Sequence, residues 1–157
     1  MKAGNAMQST RRAARGVAAV EFAIMLPILI ILLSAPLYIG RVMWYYTAAQ
    51  KAAHDAAQYL STVPDAEMRS PGLISSSTAV AGDLVAAELA DLNGGGAYPP
   101  SVTIQCDGVS CDGYVAPTVV RVHVRMRVQD PFFGTAFGGD EGILVSADSQ
   151  MLYMGSQ

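Results

Sequence analysis

Hydrophobic positions are concentrated near the start of the chain, in an unbroken run from Val17 to Ile39. These 23 residues contain one charge, that of Glu21. About 20 predominantly apolar residues suffice for a helix to cross a hydrocarbon core about 30 Å thick. The run therefore predicts a transmembrane helix. Pro27 and Pro36 lie inside it and predict helix kinks, because proline has no backbone N–H to donate. Neighbouring helices in a membrane can satisfy the carbonyl groups that are left without a donor.

Helical spacing of apolar positions continues beyond the apolar run as far as Leu60. Arg41 and the aromatic residues at 44–46 precede this stretch, and such a group is typical of the outer membrane interface. We therefore predict that the helix continues outside the membrane. The next segment, 61–78, is rich in Ser, Pro and Gly and predicts a loop. A shorter amphipathic helix is predicted from Thr78 to Leu92, with Thr78 as its N-cap.

The hydrophobic period then changes from the helical value to two. Alternating segments at 102–106, 120–128 and 143–152 predict three antiparallel strands, of which the second is the clearest. One face of that second strand is apolar and the other basic, as expected for a sheet with one solvated side. A loop rich in Gly, Pro and Phe at 131–142 is expected to cover the sheet edge. The predicted fold class is α+β, a long N-terminal helix followed by a short helix and a small sheet.

Charge is distributed unevenly along the chain. The whole chain has a net charge of −3, but its first 16 residues carry four basic groups and no acid. The remaining chain has six basic and 13 acidic residues, a net charge of −7, which is atypical of a nucleic-acid-binding protein. Basic residues before an apolar segment hold that end in the cytoplasm. We therefore predict a leader at 1–16, a membrane span at 17–39, a periplasmic helix continuation at 40–60 and a small periplasmic domain at 61–157.

Two cysteines, Cys106 and Cys111, lie in the predicted sheet region. They are expected on the side of the membrane where disulfides form, so a disulfide across a hairpin end is the preferred interpretation. Zinc binding is the alternative. The sequence offers no second Cys or His pair with zinc-site spacing, and no cofactor is predicted.

Other polar residues give little sign of catalysis. His54, Asp55 and His123 fall on polar faces of a predicted helix and strand, and there is no nucleophile-elbow motif, so we do not predict an enzyme. Three arginines on one face of the second strand, at alternate positions, form a candidate contact stripe for an acidic neighbour, lipid headgroups or polyanionic sugar: Arg121, Arg125 and Arg127. An ordinary solvated strand face that discourages edge pairing is the competing interpretation.

The junction between leader and apolar run contains a spaced set of residues. Gly16 ends the basic leader, Glu21 is fifth and Phe22 sixth from Val17, and Pro27 follows six residues after the acid. This pattern resembles the processing site of type IVb pilins of the tight-adherence (Flp) class. With the proline, it is similar to the TadE-like minor pseudopilins of that system over about residues 11–60.

The resemblance implies that an aspartic, membrane-embedded prepilin peptidase cuts between Gly16 and Val17. It also implies that Glu21, with Phe22 beside it, sets subunit register by pairing with the α-amino group of a neighbouring subunit. The implied partners are other tight-adherence pilins and pseudopilins, an inner-membrane assembly platform and membrane lipid. The implied location is the bacterial inner membrane, in a single pass, with the option of incorporation in a pilus.

Major Flp pilins are little more than the apolar helix, so a globular region of about a hundred residues indicates a minor pilin or initiator. TadG-like chains share the N-terminal pattern but are usually longer, which favours the TadE-like group. The alternative function is an unprocessed, signal-anchored periplasmic binding or enzyme module.

Overall fold

The computed structural model describes residues 4–92, 99–129 and 142–155, with side chains described from residue 19 onward. The chain divides into two compact units, one ending at Gly40 and the other beginning at Arg41. A long helix, α1 (Gly4–Ser61), supplies the first unit and the start of the second. The predicted loop at 131–142 lies, except for Gly142, outside the described residues.

Helix α1 is longer at its N-terminus than predicted. It begins at Gly4, so the backbone of most of the predicted flexible leader is helical. The reason is compositional: residues 5–15 contain no Gly or Pro and are rich in Ala, Arg, Gln and Met, which favour helix. The helix also continues through Pro27 and Pro36.

The first unit has almost no core of its own. Every side chain from Ala19 to Leu33 is exposed, and Ile, Leu, Val, Met and Phe make up most of them. The stretch from Ala19 onward is long and apolar enough to cross a membrane. It is therefore compatible with a single-pass membrane anchor.

The second unit contains a four-stranded antiparallel sheet in the order β2-β1-β3-β4. The two long strands, β3 and β4, pair over ten consecutive residue pairs without a bulge. The sequence had predicted about three strands, and the additional one is a two-residue strand that closes a hairpin. The strands are β1 (Ser101–Cys106), β2 (Val109–Ser110), β3 (Val119–Val128) and β4 (Ile143–Leu152).

The β1–β2 hairpin is made by a two-residue turn at Asp107 and Gly108. Both residues have positive φ, 51° and 87°, as the hairpin turns that match strand twist require. The Asp107 carboxylate accepts hydrogen bonds from the backbone N–H groups of Thr118 and Val119, at 2.9–3.1 Å. The turn residue therefore also fixes the start of β3.

Two further helices precede the sheet: α2 (Asp65–Met68) and α3 (Pro71–Leu89). The prediction of a loop over 61–78 and of a cap at Thr78 was therefore wrong. Thr78 lies inside α3 and donates to the carbonyl of Ile74 at 2.9 Å. The serines that suggested a loop are satisfied in the same way, by bonds to carbonyls three or four residues earlier. Pro71 fits at the helix start, where its missing N–H costs nothing.

The core of the second unit is formed by small residues of α1, one face of α3 and the inner face of the sheet. On β3 the inner residues from Val120 to Val128 are fully or almost fully buried. Between residues 49 and 60 of α1 the buried side chains are alanines followed by one large residue: Ala49, Ala52, Ala53, Ala56, Ala57 and Leu60. Small side chains allow a helix to approach close to its neighbours, so this alanine face lets α1 pack closely in the core.

The chain beyond β4 is tied to the end of α1. The N–H of Met154 donates to the Ser61 carbonyl at 3.1 Å. The hydroxyl of Tyr153 donates to the Val63 carbonyl at 2.8 Å. Ser61 is in the last turn of the helix, where carbonyls lack intrahelical partners, so the Met154 bond satisfies a group that would otherwise be unpaired.

Candidate functional site

The predicted processing site lies in the early part of α1. Gly16 and Val17 are both helical, so the bond between them is not extended in this structure. A protease needs an extended substrate backbone, and glycine is the residue that leaves a helical conformation most easily. Gly16 is thus helical in this structure but favours the helix less than other residues except proline do.

Glu21 is exposed on α1 and lies among exposed apolar side chains, including those of Val20 and Phe22. Among the side chains described from residue 19 onward, none forms an ion pair or hydrogen bond with Glu21. No basic residue occurs between Ala19 and Gly40. A carboxylate in such an apolar setting costs a few kcal/mol unless it is paired. Its partner must therefore come from the leader, the solvent or another molecule.

The two prolines of α1 remove backbone donors within the apolar segment. In a regular helix the carbonyls of Ala23 and Leu32 would accept hydrogen bonds from the backbone N–H groups of residues 27 and 36, but proline has no N–H. A further polar group between them is satisfied locally, because the Ser34 hydroxyl donates to the Ile31 carbonyl at 2.7 Å. Both positions are suited to bending, and the kinks themselves stay a prediction.

At the start of the second unit, Tyr45 makes a contact within the domain, although the aromatic residues at 44–46 were predicted only to mark a membrane interface. Tyr45 donates its hydroxyl hydrogen bond to the Leu92 carbonyl at 2.8 Å. Arg41 lies over the Tyr45 ring, 5.4 Å from its centroid, and donates to its hydroxyl at 3.2 Å. Tyr45 therefore joins α1 to the chain after α3, whereas Trp44 is exposed.

A small charged cluster joins α1 to α3. Lys51 forms ion pairs with Asp55 at 2.9 Å and with Glu88 of α3 at 3.2 Å. Because Lys51 donates to its carboxylate, the pKa of Asp55 lies below its ordinary value, and the same contact raises the pKa of Lys51. All three groups are at the surface, so the cluster orients the helices more than it stabilises them.

Cys106 and Cys111 form a disulfide across the β1–β2 hairpin, which confirms the predicted pairing. Among the described residues, no group of three or more His, Cys, Asp or Glu side chains could hold a metal ion.

The loop after the hairpin packs on α3 through Gly113. A Cβ at this position would lie 2.8 Å from Ile74 and Pro71.

The arginine stripe lies on the outer face of the sheet. Arg121 and Arg125 are exposed and Arg127 is half-buried, while the alternate residues of β3 face the core. The register brings other polar residues beside them, since Arg121 pairs with Gln150 and His123 lies opposite Asp148. A shallow groove on this face is lined by Thr103, Gln105, Arg121, His123, Arg125 and Asp148.

Sequence reasoning identified the arginines of this groove but missed most of its other residues. Thr103, Gln105 and Asp148 come from strands that flank β3, and their positions depend on strand pairing. Period-two alternation alone could have placed them on the solvated faces of their strands. It could not have aligned the strands with each other.

Comparison with known proteins gives a match over the part of the chain that contains the junction. The family model described as TadE-like protein matches residues 16–58. The matched segment begins at Gly16 and covers just over a quarter of the chain. No curated protein and no solved structure matches the chain. The match confirms the resemblance inferred from the junction and indicates a Tad pilus-associated protein, in a family that is not one of enzymes.

Proposed function

We propose that this chain is a TadE-like minor pseudopilin that a prepilin peptidase cleaves after Gly16 and that takes part in assembly of tight-adherence pili. The observation that carries the proposal is the family match, which starts at the proposed cleavage residue and includes Glu21. The exposed apolar surface of α1 supports the proposal, because a pilin helix uses such a surface in two successive environments. It lies first in the membrane and then against neighbouring helices.

Cleavage would change the chemistry of the N-terminus. It would remove four basic residues of the leader and create a new α-amino group on Val17. In a helix, Glu21 is four residues, or about one turn, after that amine. Processing would thereby convert a cytoplasmic anchor into a helix end with a cation and an acid close together.

Glu21 would set the axial register of the subunit during assembly. An unpaired carboxylate in an apolar environment is costly, and pairing with the α-amino group of a neighbouring pilin relieves that cost. Only neighbours in the correct axial position would bring the two groups together. Phe22 would contribute apolar contact beside the pair.

The second unit would act through contacts rather than catalysis. In the proposed orientation, the leader is cytoplasmic, the apolar part of α1 crosses the inner membrane and the sheet domain is periplasmic. Its partners would be the peptidase, the inner-membrane assembly platform and the other pilins of the system. The hairpin disulfide suits an oxidising compartment.

Substitution of Glu21 by Ala tests this proposal. We expect membrane levels of E21A to match those of the unmodified chain, because removing a charge favours insertion. We expect at least about a tenfold loss of sheared pili and of surface adhesion, equivalent to losing about 1.4 kcal/mol of pairing. The matched control is D83A, which removes an exposed acid from α3.

Normal piliation by E21A would contradict the register role. The alternative function, an unprocessed signal-anchored module, makes a different prediction. It requires piliation to be independent of Glu21 and the leader to remain on the chain.

A further inference from the structure

Cations in the second unit fall into two groups with different partners. Lys51 pairs with Asp55 and Glu88, and Arg69 pairs with Asp65 at 2.8 Å. In contrast, within the described ranges no carboxylate forms an ion pair with Arg121 or Arg125 of the sheet face. The chain has 13 acidic and 10 basic residues, so the lack of a partner does not reflect a shortage of acids. The unpaired charges point to an anion supplied by another molecule.

The two arginines are held in place by neutral partners. Arg121 donates from Nη2 to Oε1 of Gln150 at 2.6 Å. Arg125 donates from Nε to Nε2 of His123 at 2.8 Å. These bonds restrict each guanidinium, and among the described residues no acceptor pairs with the other N–H donors of either fork. A guanidinium that is oriented and still has free donors can bind a carboxylate in the bidentate mode with little further ordering.

The spacing of the two groups suits an extended ligand. Arg121 and Arg125 are four residues apart on one face of β3, about 13 Å along the strand. The groove between them is lined on its flank by the hydroxyl of Thr103 and the amide of Gln105. A linear polymer with an anion on its repeating unit can contact both guanidinium groups and place hydroxyl groups against the polar side chains between them.

The chemistry of the face favours a sugar polymer over a protein. Protein interfaces are usually centred on buried aromatic or aliphatic anchors. Among the described residues, no Phe, Tyr or Trp lines the groove, and the exposed apolar side chains of β4, Leu144 and Leu152, lie at the strand ends. We propose that the outer face of the sheet binds a linear acidic polysaccharide, with carboxylates held by Arg121 and Arg125. This proposal does not require the chain to be a pilus subunit.

Asp148 is the only acid that lines the groove. It lies opposite His123 in the β3–β4 register, between the positions of the two arginines along the strand. Its carboxylate repels an anionic ligand, so its removal should tighten binding. This gives a second test with the opposite sign.

The experiment uses the full chain in a neutral detergent and measures Kd for polygalacturonate at fixed salt. We expect R121Q and R125Q each to weaken binding about tenfold, since a hydrogen-bonded charge contact is lost. R69Q removes the same charge from a paired site and should leave Kd unchanged. D148N should tighten binding severalfold, whereas D83N, which removes an exposed acid on α3, should not.

Equal weakening by R69Q and R125Q would overturn the proposal, because general charge attraction would then explain binding. Absence of polygalacturonate binding would also overturn it, as would equal or tighter binding of polyglutamate or of phosphatidylglycerol vesicles. Folding is checked by circular dichroism of each variant. R125K provides a variant that keeps the charge but loses the fork, and it should bind more weakly than the unmodified chain.

Discussion

Two segments of the same helix differ in what covers them. From Ala19 to Leu33 the side chains are large, apolar and all exposed. From Ala49 to Leu60 the apolar side chains are mostly alanine and are fully buried. The later segment is covered within its own domain, whereas the earlier one is left uncovered by the described residues, as is compatible with a membrane anchor.

The difference in side-chain size matches the difference between an exposed helix surface and one that is buried in the domain core. Large side chains give the most apolar contact with lipid or with neighbouring helices, while alanine lets the helix backbone approach the sheet closely. Leu60, at the end of the alanine face, fills the space that the smaller residues leave. The helix thus carries an exposed apolar surface followed by a surface that is buried in its own domain.

Truncation of a leucine to alanine in each of the two segments should give the largest difference in domain stability. L60A removes a side chain with 0% exposure and should destabilise the domain by about 2–5 kcal/mol. L32A removes one with 70% exposure and should change domain stability by less than about 0.5 kcal/mol. Hydrogen exchange of the β3 amides in the detergent-solubilised chain measures both. Similar losses in the two variants would remove the distinction.

Enlarging an alanine should give the next largest effect. A56L introduces a large side chain where the exposed fraction is 0%, and overpacking should cost about 1–3 kcal/mol. A23L makes the same change in the exposed segment and should leave the domain unaffected. The same exchange measurement applies. Tolerance of A56L would show that the alanine face packs loosely.

Loss of the Tyr153 hydroxyl should have a smaller effect. Y153F removes the bond to Val63 and should cost about 1 kcal/mol near neutral pH. Burial raises the pKa of Tyr153 above its ordinary value of 10.0. The contribution is therefore present below pH 10 and is lost as pH rises through the folded-state pKa.

Denaturant unfolding of Y153F and the unmodified chain at neutral and alkaline pH tests this linkage. The difference between them should shrink above pH 10. Y114F changes an exposed tyrosine and serves as the control. A constant difference at all pH values would exclude ionisation of Tyr153 as its cause.

Much of the sheet could be predicted because its signal is local. Alternation along 120–128 reflects one buried and one solvated face, and the structure has a strand there. The start of α3 could not be predicted in the same way. Its serines resemble loop residues in composition, and only their bonds to preceding carbonyls show that a helix can hold them.

The candidate sites divide along the same line. Gly16, Glu21 and Pro27 form a short linear pattern, so sequence alone could identify the junction. The groove around Arg121 and Arg125 depends on the pairing of three strands, which no local pattern encodes.

We propose that the apolar surface of α1 serves in assembly after the leader is removed. Intact mass and N-terminal sequencing of the chain, extracted from membranes of a strain with an active prepilin peptidase, test this directly. The account predicts a chain that begins at Val17, in membranes and in any sheared pili that contain it. A chain that retains Met1 in that strain would contradict it.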